Sequence, residues 1–247
     1  MTGTPPALIL LPGLDGTGKL YVEFLAQLGP RFEARLIAYP KTTPLGYDEL
    51  ELLVRAALPR DRAYVLCGES FSGPLAIRIA ASKQPLLAGL ILCATFARNP
   101  FPKLGWARPL APYLPLKVLP RWIRAPLMWG SLSPARAPAG LERAVAGVSA
   151  AVLRRRIAEL LEVDESAALG RIAARTLVLR AVRDRVISRA ATRLMLEGLP
   201  NADSADIDGP HLLLQTRPAQ CAAAVGEFLQ SLAAAATADS VVAVVDQ

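Results

Sequence analysis

The feature that most constrains this chain is an alternation of short, unbroken apolar runs with stretches whose apolar residues recur at helical spacing. Runs without alternation read as strands buried on both faces, and parallel strands need a crossover helix between them. Residues 7–11 form the first such strand, and 19–28 follow as a helix with Leu20, Phe24 and Leu28 on one face. Strand 35–39, helix 48–58, strand 63–67, helix 74–83 and strand 90–94 continue the rhythm, with Pro74 tolerated in a first helical turn. The rhythm breaks after 99: residues 100–138 hold nine prolines and all three tryptophans, which limits them to short helices and turns. A helix over 141–162 follows, then strand 176–179, helix 188–199, a weak strand at 205–207 and a last helix over 218–234. The pattern predicts an α/β fold, a mainly parallel sheet with helices on both faces. Its core would be 1–98 and 172–247, the latter ending in a short valine-containing tail, with a helical cap or lid inserted at 99–171.

Composition narrows the function classes. A chain of 247 residues, 53% hydrophobic and 20% charged, is globular and large enough for one such domain with an insertion. No apolar run exceeds about ten residues, against roughly 20 for a membrane span. The opening Met-Thr-Gly-Thr-Pro-Pro has no basic segment of the signal-peptide kind, so a cytoplasmic location is expected. Three cysteines without ligand spacing (Cys67, Cys93, Cys221) and one histidine point to neither a disulfide framework nor a zinc site, and no cofactor is expected. The net charge is +7, but no basic stripe interleaves with stacking aromatics, so nucleic acid is not the expected partner. Residues 99–171 carry 11 Lys and Arg against 5 Asp and Glu. A solvated face explains this most simply; an anionic substrate, an acidic carrier protein or an anionic lipid surface are the alternatives.

The sharpest local feature is Val65-Leu66-Cys67-Gly68-Glu69-Ser70-Phe71-Ser72-Gly73, a strand running into small residues around a serine and then into a helix. A serine on such a strained turn is exposed for attack, provided its neighbours two before and two after are small. Gly68 meets the first condition, whereas Ser72 stands where glycine is usual. The plainer reading of Ser70 is a helix cap. A serine hydroxyl needs a base to become nucleophilic, and His211, on the loop Asp208-Gly209-Pro210-His211, is the only histidine. Asp184, just past the strand at 176–179, is favoured as the carboxylate that orients the imidazole, ahead of Asp206 and Asp208, which would need a tight local turn. The glycine-rich loop Leu11-Pro12-Gly13-Leu14-Asp15-Gly16-Thr17-Gly18 lets backbone amides approach a ligand, and the N–H groups of Leu14 and Phe71 are the expected oxyanion donors.

Together these segments resemble the α/β-hydrolase superfamily across nearly the whole chain: glycine loop, elbow serine, inserted lid, late aspartate, terminal histidine. The His-Gly usual in the first loop is Pro12-Gly13 here. The Leu-Pro-Gly-Leu-Asp-Gly-Thr-Gly form is similar to a subgroup of lid-bearing esterases and acyltransferases that includes plastid phytyl-ester synthases. The resemblance implies a serine esterase or thioesterase acting on an apolar acyl group through an acyl-enzyme, with water or an alcohol as acceptor. Trp106, Trp122 and Trp129 would either line an acyl pocket or only hold the lid to the core. Two rivals remain. Gly13 to Leu20 nearly fits a phosphate-cradling loop, failing at Leu20 where Ser or Thr would hold magnesium. A catalytically inactive member of the fold, serving as a binding module, is the other.

Overall fold

The computed structural model describes residues 5–113, 144 and 146–245. Six strands, β1 (Ala7–Leu11), β2 (Ala34–Leu36), β3 (Tyr64–Glu69), β4 (Leu87–Cys93), β5 (Arg175–Ala181) and β6 (Ala202–Ile207), form one sheet in the order β2-β1-β3-β4-β5-β6. Every pairing is parallel. β1 and β3 are buried along their whole length, and β4 and β5 over most of theirs, because both faces are covered: α2 (Tyr47–Ala57), α3 (Gly73–Ala81) and α5 (Arg189–Gly198) pack on one, and α1 (Val22–Leu28), α6 (Leu213–Thr216) and α7 (Pro218–Val245) on the other. Alternation along a strand divides its residues between the two cores. Ile9, Leu11 and Leu66 face the first; Leu8, Leu10, Val65 and Cys67 face the second.

Parallel pairing brings all the carboxyl ends to one rim, where Leu11 pairs with Gly68, Glu69 with Cys93, and Ala181 with Ile207. The chain order reverses between β1 and β3, and a crevice opens at such a switch point. Residues 94–174 connect β4 to β5; their described helical parts include a 3-10 stretch, Pro102–Tyr113, α4 (Ala150–Glu162) and a second 3-10 stretch, Ser166–Arg171. α4 starts sharply because the Ser149 hydroxyl accepts the Val152 amide, a helix cap.

Several expected boundaries are corrected. The strand expected at 35–39 is only Ala34–Leu36: Ile37 still bonds to Leu10, but the Tyr39 amide turns aside to the Gly16 carbonyl. The helix expected over 19–28 opens as a 3-10 turn, because Gly18 is left-handed and α1 begins only at Val22. The single helix expected over 141–162 is interrupted: Ala144 and Ala146 are helical, the chain turns at Gly147 and Val148, and α4 begins at Ala150, with 141–143 and 145 outside the described residues. The final helix extends past the expected end at 234 to Val245 and takes in the valine run read as tail. No helix among the described residues is long and apolar enough to cross a membrane.

Candidate active site

Ser70 follows β3 directly, in the left-handed region at φ 48°. For a residue with a side chain this conformation costs about 1–2 kcal/mol, so its surroundings must impose it. Gly68 and Gly73 make the turn feasible. A Cβ on Gly68 would lie 2.7 Å from the Ser72 carbonyl oxygen, and one on Gly73 would lie 1.9 Å from Thr95 Oγ1. Ser72 itself has φ −84°, ordinary right-handed backbone, so the turn makes no demand for glycine there. Its hydroxyl is instead used: it bonds to the Pro12 carbonyl and lies 2.6 Å from the Tyr39 hydroxyl. Other hydroxyls hold the same turn, Thr95 donating to the Ser70 carbonyl and Tyr47 to the Phe71 carbonyl at 2.7 Å, with its ring stacked on that of Phe71.

Three side chains distant in sequence meet above this rim. Ser70 Oγ lies 2.9 Å from His211 Nε2, and His211 Nδ1 lies 2.9 Å from Asp184 Oδ2. The imidazole is 2% exposed, held on the loop after β6. Asp184 sits in the turn after β5, where its Oδ1 accepts the amides of Val186 and Ile187 at 2.7 and 2.9 Å. One oxygen is thus anchored by backbone while the other faces the ring. The competing carboxylates are engaged elsewhere, Asp206 with Arg180 and Asp208 with Arg183, both near the surface.

The glycine loop lies against the elbow, since a Cβ on Gly13 would stand 3.8 Å from Ser70 Cβ. The loop is folded on itself by a Gly16 amide bond to the Gly13 carbonyl at 2.9 Å. Its crook is occupied by the guanidinium of Arg156 from α4, which a Cβ on Gly16 would meet at 2.4 Å. Lys19 is exposed. The phosphate-cradle reading therefore does not fit this loop, because its concavity is filled by a cation from the same chain.

Several residues at the site escaped sequence reasoning. Glu69, next to Ser70, is buried and accepts Tyr21 Oη at 2.7 Å and Gln215 Nε2 at 2.9 Å. Burial raises its carboxyl above the usual range, against the pull of those two bonds. A carboxylate ending an otherwise apolar strand was the available signal. Arg156 is 1% exposed, and burial lowers its pKa. Its signal was a spacing of four from Val152, which places both on the buried face of one helix. Cys67, Cys93 and Cys221 are buried thiols whose pKa values burial raises, so they are not nucleophiles at neutral pH. Trp106 is 73% exposed, while Trp122 and Trp129 lie outside the described residues. A cavity of about 200 Å³ borders Asp184, Thr95 and Arg189, but its walls include neither Ser70 nor His211. No three His, Cys, Asp or Glu side chains among the described residues gather as a metal-ligand set.

Residues 8–224 match the alpha/beta hydrolase family. The chain belongs to that family. The chloroplastic phytyl ester synthase 1 of Arabidopsis thaliana is 32% identical over 118 residues, 44% of this chain. The chain spans only 16% of that longer protein. Among solved structures, the enol-lactonase from Burkholderia xenovorans superposes with a TM-score of 0.78 at 18% identity, covering 92% of each chain. An esterase from Exiguobacterium antarcticum gives 0.76 at 14% identity, over 92% of this chain and 93% of the other. A membrane phospholipase A gives 0.72 at 23% identity, over 92% and 79%. At these identities the superpositions establish the shared hydrolase fold.

Proposed function

We propose that this alpha/beta hydrolase cleaves a carboxylic ester or thioester of an apolar acyl group through a covalent acyl-enzyme on Ser70. The observation that carries the reading is the unbroken chain of hydrogen bonds from Ser70 through His211 to Asp184. His211 Nε2 takes the Ser70 proton as Oγ attacks the carbonyl carbon, and Asp184 holds the proton on Nδ1 and stabilises the imidazolium. The tetrahedral oxyanion is received by the amides of Leu14 and Phe71, on either side of the switch point. His211 then returns its proton to the leaving alcohol or thiol. Water, deprotonated by the same imidazole, releases the acid.

Residues 99–171 act as a lid in this reading, and the exposed Leu104, Trp106, Leu110 and Tyr113 offer the apolar surface on which an acyl chain would settle. A second reading, transfer of the acyl group to an alcohol, is favoured by the match to a phytyl ester synthase. Both share the acyl-enzyme, and exclusion of water by the lid decides between them.

A panel of p-nitrophenyl esters and acyl thioesters of graded chain length, with and without a long-chain alcohol, tests both readings. Turnover that rises with acyl length and vanishes in Ser70→Ala and His211→Ala, with circular dichroism unchanged, is expected. Hydrolysis that survives either substitution refutes the acyl-enzyme. Diversion of product into a new ester assigns the transfer reading.

A further inference from the structure

We infer that Arg156 is a positioning residue for the oxyanion hole, fixing the backbone around Leu14 from the inserted helix α4; this rests on the acyl-enzyme reading above. The Leu14 amide belongs to a peptide plane whose carbonyl, that of Gly13, accepts the Gly16 amide at 2.9 Å. In a trans peptide, holding the carbonyl on one side aims the N–H to the other. The next plane is held by Arg156, whose Nη1 donates to the Leu14 carbonyl at 2.8 Å. With both planes tied, the two soft torsions at Leu14 have no freedom left to swing the amide.

The same guanidinium reaches further. Nη2 donates to the Pro40 carbonyl at 3.0 Å, and the cation stands 5.5 Å from the centroid of the Tyr39 ring. Tyr39 in turn holds the loop and the elbow together: its amide donates to the Gly16 carbonyl at 2.8 Å, and its hydroxyl meets that of Ser72. Ser72 completes the circuit at the Pro12 carbonyl. The carbonyls of Pro12, Gly13, Leu14 and Gly16 are all engaged, and Arg156 is the one member contributed by the inserted segment.

Stability alone does not account for an arginine here. A buried cation is costly unless paired, yet neither of these hydrogen bonds goes to a carboxylate and Nε has no partner among the described residues. Asp15 acts on it through space without a hydrogen bond. A charge placed behind the loop, fixed before reaction, adds positive potential where negative charge develops in the transition state. Ground-state substrate, whose carbonyl is uncharged, gains little from it. The residue therefore acts on kcat rather than on KM.

The test compares Arg156→Met, Arg156→Lys and, as a control on the same helix, Arg155→Met. Each is assayed for kcat and KM on a p-nitrophenyl ester and for inhibition by an alkylboronic acid, which forms a tetrahedral anion on the serine. A 1 Å displacement of a catalytic group costs about 10²-fold, so kcat in Arg156→Met is expected to fall by about that factor with KM changed less than about threefold. Boronate affinity should weaken in parallel with kcat, Arg156→Lys should fall between, and Arg155→Met should match the wild type. A folded Arg156→Met with wild-type kcat, or a loss carried by KM alone, overturns the inference. If Arg156→Met does not fold, Arg156→Lys is judged by the same two criteria. Absence of Ser70-dependent turnover in the wild type is a different result, and overturns the functional reading itself.

Discussion

Replacing Asp184 by asparagine separates a carboxylate that sets the imidazole tautomer from one that only fills space. Asp184 Oδ1 accepts two backbone amides, from Val186 and Ile187, whereas Oδ2 faces His211 Nδ1 at 2.9 Å. In asparagine only one of the two positions remains an oxygen. Two amide donors compete for it, so the oxygen stays at the Oδ1 position and the new NH₂ points at Nδ1. An NH₂ group donates, which forces Nδ1 to accept and moves the ring proton to Nε2. Nε2 then donates to Ser70 Oγ and no longer accepts from it, and the serine has no base. The wrong tautomer costs about 10⁴ in kcat where the same substitution has been made in other serine triads, or about 5 kcal/mol of barrier. Shape and most hydrogen bonds are kept, so thermal unfolding should change little. Steady-state hydrolysis of a short p-nitrophenyl ester, with thermal melts on the same preparations, measures both quantities. A folded Asp184→Asn enzyme within tenfold of wild-type kcat refutes the tautomer argument.

Two further outcomes follow from the elbow. Gly73→Ala places a Cβ 1.9 Å from Thr95 Oγ1 and should lose about 1–3 kcal/mol by overpacking, whereas Gly105→Ala, with nothing nearer than 3.6 Å, should not; paired urea titrations measure the difference. Glu69 holds its proton more tightly when folded than unfolded, because burial raises its pKa, so ionising it as pH rises through that raised value costs the folded state stability. Glu69→Gln, which cannot ionise, should gain on the wild type as pH rises and lose that advantage in acid, as read from unfolding midpoints across pH.

Much of this arrangement was legible because its signals are local. The run Val65 to Gly73 carries strand, strained serine and helix start in nine residues, and parallel topology then dictates that loops after other strands share the same rim. Asp184 could be preferred over Asp206 and Asp208 on chain geometry, and the ion pairs of those two with Arg180 and Arg183 show what they do instead. What was illegible depended on partners far along the chain. Within Arg154-Arg155-Arg156 the composition distinguishes nothing, yet Arg155 reaches Glu159 at the surface while Arg156 turns inward to Leu14. The edge strands were misjudged for a related reason. The apolar run 36–39 outlasts β2 because the Tyr39 amide leaves the sheet for the Gly16 carbonyl, and β6, expected only at 205–207, starts at Ala202 with three of its six residues exposed and so lacks the apolar run of a central strand. The last helix ran on because 235–245 contains no glycine or proline to stop it.

The most direct measurement is fluorophosphonate modification followed by peptide mass spectrometry, with residual ester turnover measured in parallel. One adduct per chain on the peptide containing Ser70, formed in step with loss of activity and absent from His211→Ala, is the expected result. An adduct on another residue, or full turnover after Ser70 is modified, contradicts the assignment of Ser70 as the nucleophile.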